Sequence, residues 1–363
     1  DEFHKKRLAN ATAHKTGSAD KSVENYERMF ATIHAPPVVE TWRRNDIFAW
    51  QALAGTNPVM LQRMTAPIDK FPVTQEHYAK AVGSEDTLEA AMKEGRLYVA
   101  DYWRFDGAPE GTVDGQKKYN FAPLALYSWQ PPRGEIAGAL APVAIQCGQK
   151  PAKTNPILTP ADGESWNMAR IVVTTAEGNY QGVISHFALC HQVMESVILS
   201  TYRQLAKSHP LFVLLEPHFK NTLVTNEIAM SNLIGPDGYM ERLQSPTLEA
   251  SLGIATKAIN DFKLSESAPA KLFAARGVDD VDTLGNYPFR DDCMTLWPPV
   301  LEWVDSYIRL YYTTDADVTG DDELAAFVSE LGSDGGGRLN GIEPVQTVDA
   351  LIELVAQMVR VRA

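Results

Sequence analysis

From Tyr180 to Phe219 the chain reads YQGVISHFALCHQVMESVILSTYRQLAKSHPLFVLLEPHF, and between Ile184 and Leu205 its apolar residues reach nearly every face of a helix. A helix apolar all round has no face to give to water, so it belongs at the core of a large domain. A chain of 363 residues with 45% hydrophobic content is long enough to bury it. The same stretch holds four of the eight histidines, and two of them, His186 and His191, lie five residues apart inside its most apolar part.

A buried imidazole must be satisfied by a hydrogen bond or a metal. A single one is most simply a core residue bonded to a backbone carbonyl, and a second on the same helix weakens that reading. Spacing works the other way. At roughly 100° per residue, positions five apart on a regular helix stand about 140° apart. The pair converges only if the helix widens locally into a π turn, a feature found mostly at functional sites. On the residues alone the metal reading and the core reading stand level. Glu195, four residues after His191, shares its face and could ligate a metal or serve as the hydrogen-bonded partner that orients a ligating imidazole, the role preferred here. A zinc hydrolase using His186, His191 and Glu195 is a remote alternative, since no H-E-x-x-H is present. His209 and His218 adjoin prolines and read as capping or packing residues at helix ends.

The remaining chain bounds the fold and its partners. Residues 1–66 read as helices, including SVENYERMFATIH and ETWRRNDIFAWQAL; residues 96–148 carry β-branched and aromatic runs split by Gly and Pro, a small sheet. From Trp166 the helical period dominates, interrupted by the Gly-rich loop Leu331 to Gly341. The expectation is one large domain, mostly α with a minor β element. A formal net charge of -13 argues against a nucleic-acid backbone as partner. Three cysteines in no metal or redox spacing fit a reducing, cytoplasmic compartment. No signal peptide and no apolar run near the ~18 residues that span a bilayer are expected. The first residue is Asp, which reads as a trimmed start and leaves secretion open.

At residues 185–229, SHFALCHQVMESVILSTYRQLAKSHPLFVLLEPHFKNTLVTNEIA, the chain resembles the iron-binding core of the lipoxygenases. The family pattern is H-x(4)-H, then a Leu-x-x-x-His-Pro stretch, then Pro-His-Phe/Tyr, then Asn-x-x-Ala, and all four stand here in order. EGRLYVADY and YNFAPLALY are similar to the family's sheet region. APVAIQCGQKPAKTNPILTPADGESWNMARIVV resembles its approach to the iron helix, and YPFRDDCMTLWPPVLEWVDSYIRLYYTTDADVTGDDEL a later long helix. The resemblance runs from about Asp1 to the last residue. It implies a helical bundle around a long central iron-binding helix, most like the single-domain bacterial members with no N-terminal lipid-binding β-sandwich.

The resemblance also implies a function. His186 and His191 become ligands of a non-haem iron, one per complete enzyme, Ala229 borders the reacting pentadiene, and Leu233 and Met240 line the channel. The reaction implied is dioxygenation of a polyunsaturated fatty acid by O2 to a hydroperoxide, with peripheral membrane contact expected of an enzyme on such a substrate. Three family ligands, a third His, an Asn and a C-terminal Ile carboxylate, have no counterpart in the 363 residues. TVDALIELVAQMVRVRA resembles the helix that leads to that third His, but carries Arg360 and Arg362 where the family is apolar. The chain is therefore expected to be incomplete at its C-terminal end, completed by a further segment or a second chain, with an inactive lipid-binding relative as the alternative. Gly182 also stands where relatives often carry Gln or Glu.

Overall fold

The computed structural model describes residue 34 and residues 36–362. The chain clusters into two compact units, Asp1–Phe48 and Ala49–Ala363. The helix expected over SVENYERMFATIH lies outside the described residues, apart from His34, which is not helical. The ETWRRNDIFAWQAL segment forms the end of α1 (Val38–Thr41) and most of α2 (Asn45–Ala54).

A five-stranded antiparallel sheet occupies the region expected to be β. Its strands are β1 (Gln62–Arg63), β2 (Leu97–Asp101), β5 (Leu124–Gln130), β6 (Ala139–Gln146) and β7 (Ile157–Leu158), in the order β1-β2-β5-β6-β7. A separate two-stranded hairpin joins β3 (Thr112–Val113) to β4 (Gln116–Lys117). The three central strands correspond to the three apolar runs of the sequence. The two-residue edge strands carry no periodicity of their own, and pairing such as Arg63 with Tyr98 decides them. Thus residues 62–63 are strand where helix was expected. Strands β2 and β5 are buried at nearly every position, so the sheet is covered on both faces and shows no polar alternation. Pro142, which cannot donate to a ladder, sits beside the register shift at Leu126 and Tyr127, where a bulge tolerates it. Helices α3 (Gln75–Val82) and α4 (Leu88–Lys93) flank this sheet, and Tyr78, Phe71 and Ala91 join its core.

One continuous helical rod dominates the rest. It runs from α5 (Glu164–Tyr180) through a π-helical segment, Gln181–Gln192, into α6 (Val193–Gln204). At about 1.5 Å per residue its 41 residues are about 60 Å long. Contrary to expectation, this helix is long and apolar enough by composition to cross a membrane. The reason is its place at the core. Val193, Val197 and Ile198 are buried against α14 (Asp322–Gly332) and α15 (Val348–Arg362), and the π segment packs on α10 (Leu248–Asp261). The other helices are α7 (Pro210–Phe219), α8 (Thr222–Ala229), α9 (Tyr239–Leu243), α11 (Pro269–Ala275), α12 (Pro288–Ile308) and α13 (Asp315–Thr319). The chain is mostly α with a minor sheet.

His209 caps α7 as its proline context implied. Its Nδ1 accepts from Leu211 N at 3.1 Å, and its Nε2 donates to Asp321 at 3.0 Å. The ring of His218, in the last turn of α7, lies 6.0 Å from that of Trp303. Arg360, on a helix expected to be apolar there, buries its stem and donates to the Ser267 carbonyl.

Glu177 sits in α5 nearly fully buried, and burial first, then the neighbouring Glu177, pushes the phenols of Tyr102 and Tyr127 up. Burial raises its own carboxyl to about 8. The folded chain therefore keeps this proton from the unfolded pKa of ~4.3 up to about pH 8, where the unfolded chain has lost it. Stability falls as pH rises across that window and levels above it. Glu177→Gln is expected to flatten the fall, with a gain of a few kcal/mol at pH 8 over pH 5 relative to the parent. Urea midpoints at the two pH values check it; an unchanged slope in the variant refutes the assignment.

Candidate metal centre

The π segment decides the geometry of the two histidines. In a π-helix the hydrogen bonds run five residues back, as from Val193 N to Ala188 O, and a turn takes in more residues than the α-helical 3.6. Residues five apart then stack on one face instead of diverging. His186 and His191 obey this, with ring centroids 4.7 Å apart, rings at 71°, and Nε2 atoms separated by 3.1 Å. The widened turn expected from their spacing is present.

The hydrogen bonds behind His191 place one of its protons. Asn226, buried on α8, spans the gap between His191 and Glu195: Asn226 Nδ2 donates to Glu195 Oε2 at 2.8 Å, and Asn226 Oδ1 lies 2.7 Å from His191 Nδ1. A carboxylate only accepts, so the amide nitrogen must face Glu195 and the amide oxygen must face the imidazole. That oxygen needs a donor, so His191 carries a proton on Nδ1, and in the neutral ring the lone pair then sits on the Nε2 that faces His186. Burial, and then the neighbouring His191, hold the His186 pKa below its ordinary value, which favours its neutral form.

These are the properties of a ligand pair. Two imidazole nitrogens, each about 2.1 Å from one ion and at right angles, stand about 3.0 Å apart, and 3.1 Å is observed. The orienting partner expected at Glu195 therefore reaches the imidazole through Asn226 rather than directly. Asn226 had stood in the Asn-x-x-Ala pattern without a role, and its contact with His191 depends on how α8 packs, which no spacing encodes. The His186–His191–Glu195 set of a zinc hydrolase is not assembled. Among the described residues no group of three or more His, Cys, Asp or Glu side chains converges on one point.

A cavity of about 420 Å³ opens beside the pair. His186, His191, Ala229, Leu233 and Met240 all border it. Ala229 ends α8, Leu233 lies in a second π turn, Met230–Ile234, and Met240 lies in α9, so one arch of three short elements forms the wall facing the histidines. Gly182 borders the cavity too, and the space a side chain would take there is filled by the amide of Gln244, another wall residue that the sequence did not single out. Lys118, beside β4, donates to the carbonyls of Glu241 and Gln244 and pins the end of α9, while Ser245 N donates to Asn179 at 3.1 Å.

Asn226→Ala is expected to leave the fold intact and weaken metal binding by roughly 10–100-fold, as loss of an outer hydrogen bond to a ligating imidazole does. His191→Ala should abolish it. Titration of the chain with ferrous ion, followed by calorimetry, checks both; full affinity in either variant removes the site.

A family model for lipoxygenase matches residues 5–363. The chain is 35% identical over 352 residues to the linoleate 9/13-lipoxygenase of Pseudomonas aeruginosa, covering 94% of this chain and 50% of that protein. It is 32% identical over 315 residues to the human hydroperoxide isomerase ALOXE3, covering 86% of this chain and 43% of that one. Its structure superposes on coral 8R-lipoxygenase with a TM-score of 0.81 at 29% identity, over 91% of this chain and 49% of that one. The chain spans about half the length of the curated relatives it matches.

Proposed function

The chain belongs to the lipoxygenase family, and we propose on that footing that it contributes two ligands and the channel wall to an iron-dependent dioxygenase of polyunsaturated fatty acids. The observation that carries this reading is the meeting of His186 and His191 Nε2 at 3.1 Å on a π turn, at the edge of a largely apolar cavity. His186 and His191 hold non-haem iron through Nε2. Glu195, acting through Asn226, keeps the His191 proton on Nδ1 and its lone pair on the iron side. When bound, iron supplies the one-electron redox capacity for removing a hydrogen atom from the methylene between two cis double bonds.

Everything else asked of the protein is positioning. Leu233 and Met240 give the fatty chain an apolar wall, which favours its burial and keeps water from the reacting carbon. Ala229 carries a methyl group beside the cavity, and there it restricts the side from which O2 reaches the pentadiene. By family resemblance the remaining iron ligands would be a third imidazole, an amide and a carboxylate, and no third ligand joins the pair among the described residues.

Two imidazoles hold a first-row metal weakly. Residues 1–363 alone are accordingly expected to show no O2 uptake with linoleate and to gain it when a segment supplying the remaining ligands is added. An oxygen electrode decides this, and turnover by the isolated, iron-loaded chain contradicts it. A lipid-binding role without catalysis is the second reading, favoured by the absence of a third convergent ligand among the described residues. Elemental analysis of the completed protein separates the two.

Ala229→Gly in the completed enzyme should shift oxygenation toward the other end of the pentadiene and the opposite hand, with little loss of total rate. One methyl group is small, but a difference of about 1.4 kcal/mol between competing barriers is tenfold in product ratio. Chiral chromatography of the hydroperoxides reads the shift. Identical ratios would mean that Ala229 does not border the oxygen path.

A further inference from the structure

Three polar side chains on the cavity wall have partners among the described residues, and Gln192, Thr225 and Tyr239 are open enough to bond water. Asn226 is held by His191 and Glu195, and the two imidazoles face each other. Gln244 is different. Its side chain borders the cavity, and its Oε1 is buried with no hydrogen-bond partner among the described residues. Among the described residues no bond to the amide nitrogen offsets this, while the backbone at 244 is clamped by Lys118. The amide lies over Gly182 on the π segment, where a Cβ would collide with Gln244 Nε2. Glycine at 182 thus leaves the amide a seat next to the helix that carries both histidines.

An amide left unpaired at the wall of an apolar cavity is costly unless a ligand pairs with it, and a few such groups are how a largely apolar site fixes a ligand's orientation. The terminal torsion of glutamine is soft, so the amide can turn either its donor or its acceptor inward. A plain hydrocarbon segment satisfies neither, and a carboxylate can only accept. A hydroxyl or hydroperoxyl group on the chain both donates and accepts. We infer that Gln244 is a recognition residue for oxygenated fatty acids, chains bearing a mid-chain O–H, bound in the His186–His191 cavity. This inference rests on the fatty-acid reading of that cavity.

Equilibrium binding of the full chain to linoleic acid and to its mid-chain monohydroxy derivative, followed by calorimetry, tests it without turnover. The hydroxy acid is expected to bind about tenfold more tightly, the scale of one well-made hydrogen bond in a desolvated site. Gln244→Leu should erase that preference and leave linoleate within about twofold. Gly182→Ala supplies a second route if the first variant does not fold. Alanine suits a helix, and its methyl group displaces only the end of a flexible side chain, so the preference should fall while the fold stays. Equal weakening of both acids by Gln244→Leu assigns the amide to the carboxylate and overturns the inference. A hydroxy preference that survives both variants, or is absent from the parent, overturns it too. If neither acid binds the parent, the inference falls together with the fatty-acid reading beneath it.

Discussion

The local widening of the central helix over Gln181–Gln192 is the constraint on which the site depends. A regular helix would send His186 and His191 to different faces, one toward the cavity and one into packing. Five-back hydrogen bonding brings them into register at the cost of an unusual backbone, which persists because the segment is anchored at both ends. Val183, Ile184, Phe187 and Ala188 bury its apolar surface, and the same rod continues into regular helices on either side. Ser185 adds a hydrogen bond to Asn57 at 2.7 Å. The widened turn is therefore held by the core, not by the two imidazoles.

A second layer of polar contacts converts that backbone feature into chemistry. The chain Glu195, Asn226, His191 fixes one proton and thereby one lone pair, and Asn226 makes α8 part of the centre rather than a neighbour of it. The same helix then delivers Ala229 to the cavity immediately before its regular hydrogen bonding gives way to another π turn. The histidine pair and the cavity wall are thus coupled through one buried asparagine. A change in how α8 packs would disturb the imidazole pair and the cavity wall together.

Much of this was legible in the residues. The all-round apolar character of residues 184–205 pointed to a buried helix, which holds for Val193, Val197 and Ile198 but not for His186 and Tyr202, which are exposed; the five-residue spacing required either a π turn or two unrelated histidines. The Pro-flanked His209 announced a helix start, and the β-branched runs announced three of the strands. Family likeness supplied Ala229, Leu233 and Met240, which by themselves are ordinary packing residues. What escaped was anything made by contact across long separations. Asn226 lies 35 positions from His191, and Gln244 over Gly182 joins a short helix to the middle of the rod. The two-residue edge strands escaped for the same reason.

The sequence by itself determined which helix must be buried and which two imidazoles it carries, because hydrophobic periodicity and residue spacing are properties of one segment. It also set a net charge of -13, which disfavours a polyanionic partner, because net charge is a sum over residues. Tertiary structure alone decided that those imidazoles converge, which nitrogen of His191 is free, and that the amide at the cavity wall comes from Gln244. Each of those depends on the relative placement of two segments, set by burial of apolar surface over the whole unit, and no local pattern records it.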